Sequence, residues 1–326
     1  MNPLYICLAV YNEERNLEKC LYSINQSIEE IKNPIKTIIC LNGCTDNSLS
    51  ITKKCKKSFP SLDILITKSK RGKLNAQEKM VSLVPINSRI FFIDSDTEVS
   101  IDSMQILLKE MDKHKELLAI GAFPVARKYV GLNLWKKLLD NILNIRSRHP
   151  MAEISKLDVS EYHKLAKEDP QTKNTNKEHE LKSKIFFHGR LFLLRSKKYW
   201  NMPPKTKEVV GDDSYLPDNI IYNYGKNRIR IRYNAIIYFE PFTLLHVHYG
   251  AYKRIYYDLK NLKSNSPEFK EIRDHSVLVL DKNYIKMQPL SVRIKFRIFS
   301  YVRNLEKFLY QLSSEKNPDN IWAQKY

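Results

Sequence analysis

The first half of the chain alternates short apolar runs with amphipathic ones. Residues 4–10 are apolar throughout, as in a strand buried on both faces. Residues 13–31 carry Leu17, Leu21, Ile24 and Ile28 at helical spacing. A β-branched run at 37–41 predicts a second strand, and 46–57 a polar helix with Asp46 at its cap. The same reading gives strands at 62–67 and 89–93, helices at 73–83 and 101–111, and a fifth strand at 118–125. Such alternation predicts an α/β fold with a doubly wound, mostly parallel sheet and helices on both faces. Ligands of such sheets gather beyond the carboxyl ends of the strands. Four polar segments fall there: 11–14, 42–46, 70–75 and 94–96.

Beyond residue 126 the pattern changes. Residues 135–148 read as a basic amphipathic helix, 155–183 as a polar, flexible insertion, and 184–194 and 229–239 as strands. In the helix expected at 291–312, Val292, Phe296, Phe299, Val302, Leu305, Phe308 and Leu309 share one side. Arg293, Lys295, Arg297, Arg303 and Lys307 occupy the rest. That helix either lies apolar side down on an anionic bilayer or packs on the catalytic domain with its basic face in water. The expected division is 1–126, 127–254 and a helical basic extension at 255–326.

Charge adds a constraint on partners. Fifty-five Lys and Arg against 36 Asp and Glu give +19. Nucleic acid, an anionic membrane and a phosphorylated substrate would each exploit this excess, and a bias toward lysine codons would also produce it. The five cysteines are odd in number and fall in the first fifth of the chain, which fits reduced thiols better than a disulfide framework. No apolar run reaches spanning length, and residues 1–4 lack a basic leader. The expected setting is cytoplasmic, with room for peripheral contact at the inner face of a membrane.

Candidate chemistry centres on Asp94-Ser95-Asp96, which follows the apolar run of the fourth strand. Two acids this close repel unless a cation or a donor network lies between them. A hard, oxygen-ligated Mn²⁺ or Mg²⁺ shared with a diphosphate would serve, and so would a solvated turn capping the next helix. Tyr11-Asn12-Glu13-Glu14, Asn42-Gly43-Cys44-Thr45-Asp46 and Arg71-Gly72-Lys73 each also read as a strand-to-helix turn. Taken together, in this order and spacing, the four segments resemble the family 2 glycosyltransferases of the GT-A fold. The resemblance covers 3–126 and resumes at 188–254.

This resemblance implies an inverting, metal-dependent transfer of one sugar from a nucleotide-sugar to a hydroxyl acceptor, in polysaccharide or glycolipid synthesis. Tyr11, Asn12, Glu13 and Asn42 would line the base and ribose pocket. Arg71 and Lys73 would lie near the sugar or diphosphate, Asp94 would face the ribose or the metal, Ser95 would join the nucleotide-sugar site, and Asp96 would be the direct metal ligand. The family places an acid where Asn42 stands; its amide oxygen still accepts a hydrogen bond, so a uracil-type base, hence a UDP-linked donor, is expected. Asp213, with Asp212 as fallback, would be the base that deprotonates the acceptor. Arg254 would neutralise the leaving group. His246 and His248, which on a strand would share a face, are further candidate metal ligands. Two rival readings remain at this point: a nucleic-acid-binding α/β protein driven by its charge, and a metal-dependent nucleotidyltransferase.

Overall fold

A computed structural model gives the structure of residues 3–149, 152–155, 188–202, 212–270, 272 and 278–313. The elements run β1 (Leu4–Val10), α1 (Leu17–Ser27), β2 (Ile35–Asn42), α2 (Ser48–Ser58), β3 (Ile64–Ser69), α3 (Lys73–Ser82), β4 (Ile90–Asp94) and β5 (Thr97–Val99). Next come α4 (Ser103–Lys113), β6 (Ala119–Ala126), α5 (Leu134–Leu143), α6 (Ile145–Arg148), β7 (Glu153–Ser155), β8 (Leu191–Leu194) and α7 (Asp212–Tyr224). The rest are β9 (Ile229–Phe239), α8 (Leu245–Asn265), β10 (Leu278–Leu280), α9 (Lys282–Met287) and α10 (Leu290–Leu312).

The chain forms two compact units. The first comprises residues 1–125, 184–202 and 216–239, and the second 126–183, 203–215 and 240–326. The first is therefore not a contiguous segment: the chain returns to it twice. Its sheet has the order β3-β2-β1-β4-β8-β6-β9-β5. β3, β2, β1 and β4 run parallel, whereas β8 is antiparallel to both β4 and β6.

Strand periodicity explains why this sheet holds. Ile6, Leu8, Phe91, Ile93, Leu191 and Leu193 point to one face, where α1 contributes Leu17, Leu21 and Ile24 and α4 contributes Met104 and Leu107. Their neighbours Cys7, Ile90, Phe92, Phe192 and Leu194 feed the other face, covered by Met80 of α3 and by Leu216 and Ile220 of α7. Phe92 stacks between Phe192 at 4.8 Å and Trp200 at 4.6 Å between ring centroids. With both faces covered, the strands are apolar without alternation.

Several expected elements change. Residues 13–16 form a turn rather than the first turn of α1, because Glu13 is tied to the second loop. The helix expected at 135–148 breaks at Asn144, whose side chain pairs with both backbone groups of Phe242, at 2.9 and 3.0 Å. β8 begins at Leu191; residues 184–187 and the insertion expected at 155–183, apart from Ser155 at the end of β7, lie outside the described residues. His246 and His248 stand on helix α8 and not on a strand. Two positions on a helix differ by about 200°, so the two imidazoles do not share a face. The backbone bonding is helical here, with the His248 amide donating to the Leu244 carbonyl four residues back at 3.1 Å.

The second unit has its own small core, in which Phe296 and Phe299 of α10 pack with Ile142 and Ile145. His248 is buried beside it, its Nδ1 2.6 Å from Glu306 Oε1, and Arg303 holds the other carboxylate oxygen at 3.1 Å. β7 and β10 form an antiparallel pair.

Candidate active site

The carboxyl ends of β1, β2, β3 and β4 bring four loops together. Asn12 adopts a left-handed backbone with φ of 51°, which asparagine tolerates better than most residues. This aims its side chain at the second loop. Asn12 Oδ1 accepts from the Thr45 amide at 2.8 Å and its Nδ2 donates to Thr45 Oγ1 at 3.2 Å. The Glu13 amide donates to Ser48 Oγ, and the Glu14 amide to Asp46 Oδ2. Burial alone would raise the Asp46 carboxyl, but hydrogen bonds from the Ser48 hydroxyl and from the Ser48 and Glu14 amides outweigh it and hold the group below its ordinary range. The loops after β1 and β2 are thus one clamped structure.

Several residues assigned to the donor pocket have a structural place here. The Glu13 carboxylate is buried and accepts from Asn16 Nδ2 at 3.0 Å. Ser95 is also buried; its hydroxyl donates to the Ala9 carbonyl at 3.0 Å and ties β4 to β1. Asn42 is buried at the end of β2, with Ser69 Oγ 3.5 Å from its Oδ1. Thr45 appears in the sequence reading only as part of its segment, and the sequence assigns no role to it, to Ser48 or to Thr97, since isolated hydroxyls carry no pattern. Thr97 Oγ1 donates to the Asp94 carbonyl at 2.5 Å and begins β5, a three-residue strand too short to show periodicity.

Tyr11, Arg71, Lys73, Asp94 and Asp96 remain as the partly exposed polar surface. The Arg71 guanidinium lies 4.9 Å from the centre of the Tyr11 ring. Gly72 opens α3 with φ of 130°, and a Cβ there would meet Asn75 Nδ2 at 2.7 Å. This glycine lets Lys73 stand at the first turn of α3, where its Nζ is 2.8 Å from Asp94 Oδ1. Arg190, just before β8, places Nη1 3.5 Å from Asp96 Oδ1 and stacks 4.2 Å from the centre of Phe239.

The field behind these acids is negative. Burial pushes the Cys20 thiol well above its ordinary range, and the charge of Asp96 pushes it further, with Glu13 and Asp94 adding to it. Asp94 and Asp96 are hard oxygen donors, and Mg²⁺ or Mn²⁺ commonly takes only one or two protein carboxylates, with phosphate and water completing the shell. Among the described residues no cluster of three or more His, Cys, Asp or Glu is grouped for a metal. Asp94 and Asp96 as a donor set fit a cation shared with a diphosphate.

Asp212 and Asp213 are the first two residues of α7, and their side chains lie outside the described residues. Pro217 sits inside this helix and lacks an N–H, so the carbonyl of residue 213 receives no helical bond from it. Arg254 lies on α8, as do His246 and His248.

The sequence model of Glycosyl transferase family 2 matches residues 5–199. The chain belongs to this family, and it is a glycosyltransferase. The fold is the GT-A fold of these enzymes. Among solved structures it is similar to the mannosyltransferase PcManGT of Pyrobaculum calidifontis, in complex with GDP-Man and Mn²⁺. The TM-score is 0.53 at 15% identity, covering 82% of this chain and 67% of that one. S. aureus TarS aligns with a TM-score of 0.49 at 13% identity over 79% of this chain; the chain spans 39% of the TarS length. Glucosyl-3-phosphoglycerate synthase from Mycobacterium tuberculosis, in complex with Mn²⁺, UDP and its product, aligns at 0.47 with 12% identity, covering 78% of each chain. The comparison with curated proteins returns no match. Family membership displaces the nucleic-acid-binding and nucleotidyltransferase readings.

Proposed function

We propose that this glycosyltransferase moves one sugar from a nucleotide-sugar, UDP-linked, to an acceptor hydroxyl with inversion at the anomeric carbon. The observation that carries the reading is the pair Asp94 and Asp96 at the end of β4, each with a cationic neighbour, Lys73 and Arg190. Such a strip of alternating charge suits a sugar diphosphate better than a neutral ligand.

In this mechanism Tyr11, Asn12 and Asn42 line the base and ribose pocket, the buried Glu13 braces that wall from behind, and Arg71 and Lys73 bind the diphosphate. Asp96, supported by Asp94 and Ser95, would hold Mn²⁺ or Mg²⁺, which when bound offsets charge building on the leaving diphosphate. Asp213 takes the proton from the acceptor hydroxyl as its oxygen attacks the anomeric carbon, and Asp212 is the fallback base. The bond between that carbon and the phosphate oxygen breaks, its electrons pass to the nucleoside diphosphate, and Arg254 neutralises the charge. His246 and His248 both stay candidate metal ligands, since the bond from His248 Nδ1 to Glu306 leaves its Nε2 uncommitted. The setting is cytoplasmic, with α10 as contact to an anionic membrane.

Asp96→Ala and Asp213→Asn test this reading. Calorimetric titration of UDP-sugars with Mn²⁺ should show weaker donor binding for Asp96→Ala and unchanged binding for Asp213→Asn. Both variants should lose donor turnover. Normal turnover in both overturns the assignment.

A further inference from the structure

The second unit carries exposed apolar side chains on two elements that pack together through other residues. α10 buries Phe296 and Phe299 against Ile142 of α5 and Ile145 of α6. On its opposite side Ile294, Ile298, Tyr301, Leu305, Phe308 and Leu312 are all exposed, Tyr301 to 75%. At 100° per residue these six fall within an arc of about 80°, along about 27 Å of helix. Both faces of α10 are thus apolar, and only one is covered by the described residues of its unit.

The second element is the loop from β6 into α5. Val130 is 91% exposed, Leu132 93% and Trp135 66%, with Leu134 and Leu138 also exposed. Single exposed apolar residues are ordinary, but five within nine positions form a patch that marks an interaction site.

The charge around both elements selects the partner. Arg127, Lys128, Lys136 and Lys137 accompany the loop, and no acid lies between 127 and 138. On α10, Arg293, Lys295 and Arg297 flank the apolar stripe. The one acid of that helix, Glu306, is buried and paired with His248 and Arg303. A second copy of the chain would set this positive charge against itself. Nucleic acid would meet the charge and leave the apolar side chains in water. A bilayer with anionic headgroups satisfies both, and Trp and Tyr suit the depth where headgroup meets acyl chain.

We propose that the loop and first turn at residues 128–138 insert into the surface of an anionic bilayer, so that the second unit binds membranes through two elements, the loop and α10. This rests on the membrane contact given above to α10 and adds the loop, with Trp135 as its anchor.

The full chain is mixed with phosphatidylcholine vesicles, with or without phosphatidylglycerol, and followed by flotation and tryptophan emission. The variants are Leu132→Ser with Trp135→Ser in the loop, Ile298→Ser with Tyr301→Ser in the helix, and Trp135→Phe as an emission control. All of these side chains are exposed, and circular dichroism verifies that the variants stay folded. The wild type should float with the phosphatidylglycerol vesicles only, with a blue shift that Trp135→Phe largely removes. Each double variant should lose about tenfold or more in partitioning, the scale of two apolar side chains withdrawn from the interface. A loop variant that partitions like the wild type while the helix variant does not overturns the loop and leaves the helix contact standing. A wild type that binds neither vesicle, binds both equally, or self-associates through Trp135 instead overturns the proposal.

Discussion

Arg190 touches the acidic strand end twice: its guanidinium lies 3.5 Å from Asp96 Oδ1, and its carbonyl accepts the Asp94 amide at 2.9 Å. The backbone bond fixes where the side chain starts, and the Phe239 ring beneath it fixes where it ends. Arg190 therefore competes with any cation for Asp96. Replacing it with Ala should tighten Mn²⁺ binding to the nucleotide-free protein by about fivefold, the scale of a half-exposed ion pair. Titration calorimetry with Mn²⁺ alone measures this; unchanged or weaker binding would show that the pair does not hold Asp96.

Gly72→Ala should destabilise the protein by about 1–3 kcal/mol, because φ of 130° is closed to alanine and its Cβ would press on Asn75. The displacement would be felt at Lys73, the next residue. Urea unfolding gives the first effect, and nucleoside diphosphate binding, expected to weaken, gives the second.

Glu110 is buried in the first unit against Arg230, with Arg232 Nη1 at 3.7 Å and His114 Nε2 at 3.6 Å. Removing the carboxylate would leave this basic cluster without its counter-ion. Glu110→Ala should cost about 3 kcal/mol in chemical denaturation, with donor binding preserved at temperatures where the fold survives. A loss below about 0.5 kcal/mol would place the cluster among ordinary surface pairs.

Asp46 gives a pH signature. Its folded carboxyl is held below the ordinary 3.8, so its contribution is fully present above that value and disappears as pH falls through the lower, folded one. Asp46→Asn should lower the thermal midpoint near neutrality and converge with the wild type as pH falls through the lowered folded value. Parallel curves over the whole range would show that the clamp between the first two loops does not depend on this charge.

The parallel half of the sheet was legible because β1 is an unbroken apolar run, β4 is one up to Asp94, and α1 repeats its apolar residues at helical spacing. The antiparallel half was harder to read. β5 is three residues long, and β8 joins the sheet beside β4 from a position a hundred residues downstream, a pairing that no local pattern announces. At the site, sequence order located Asp94 and Asp96 at the end of β4 and Lys73 at the start of α3. It did not reveal that Ser95 and Glu13 face inward, since the same polar letters serve for struts and for ligands. The two histidines were misplaced because a two-residue spacing fits a strand, whereas the segment that carries them is a helix.

The position of β8 has a consequence in time. A growing chain completes Asp94 roughly a hundred residues before Leu194, so at about 5–20 residues per second the β4 edge stands open for several seconds on the ribosome. An open edge of Phe91, Phe92 and Ile93 is a template for pairing with another chain. Residues 1–126 by themselves would keep that edge permanently, so this segment should aggregate when expressed alone. The intact protein should depend on chaperones during synthesis more than its final stability would suggest.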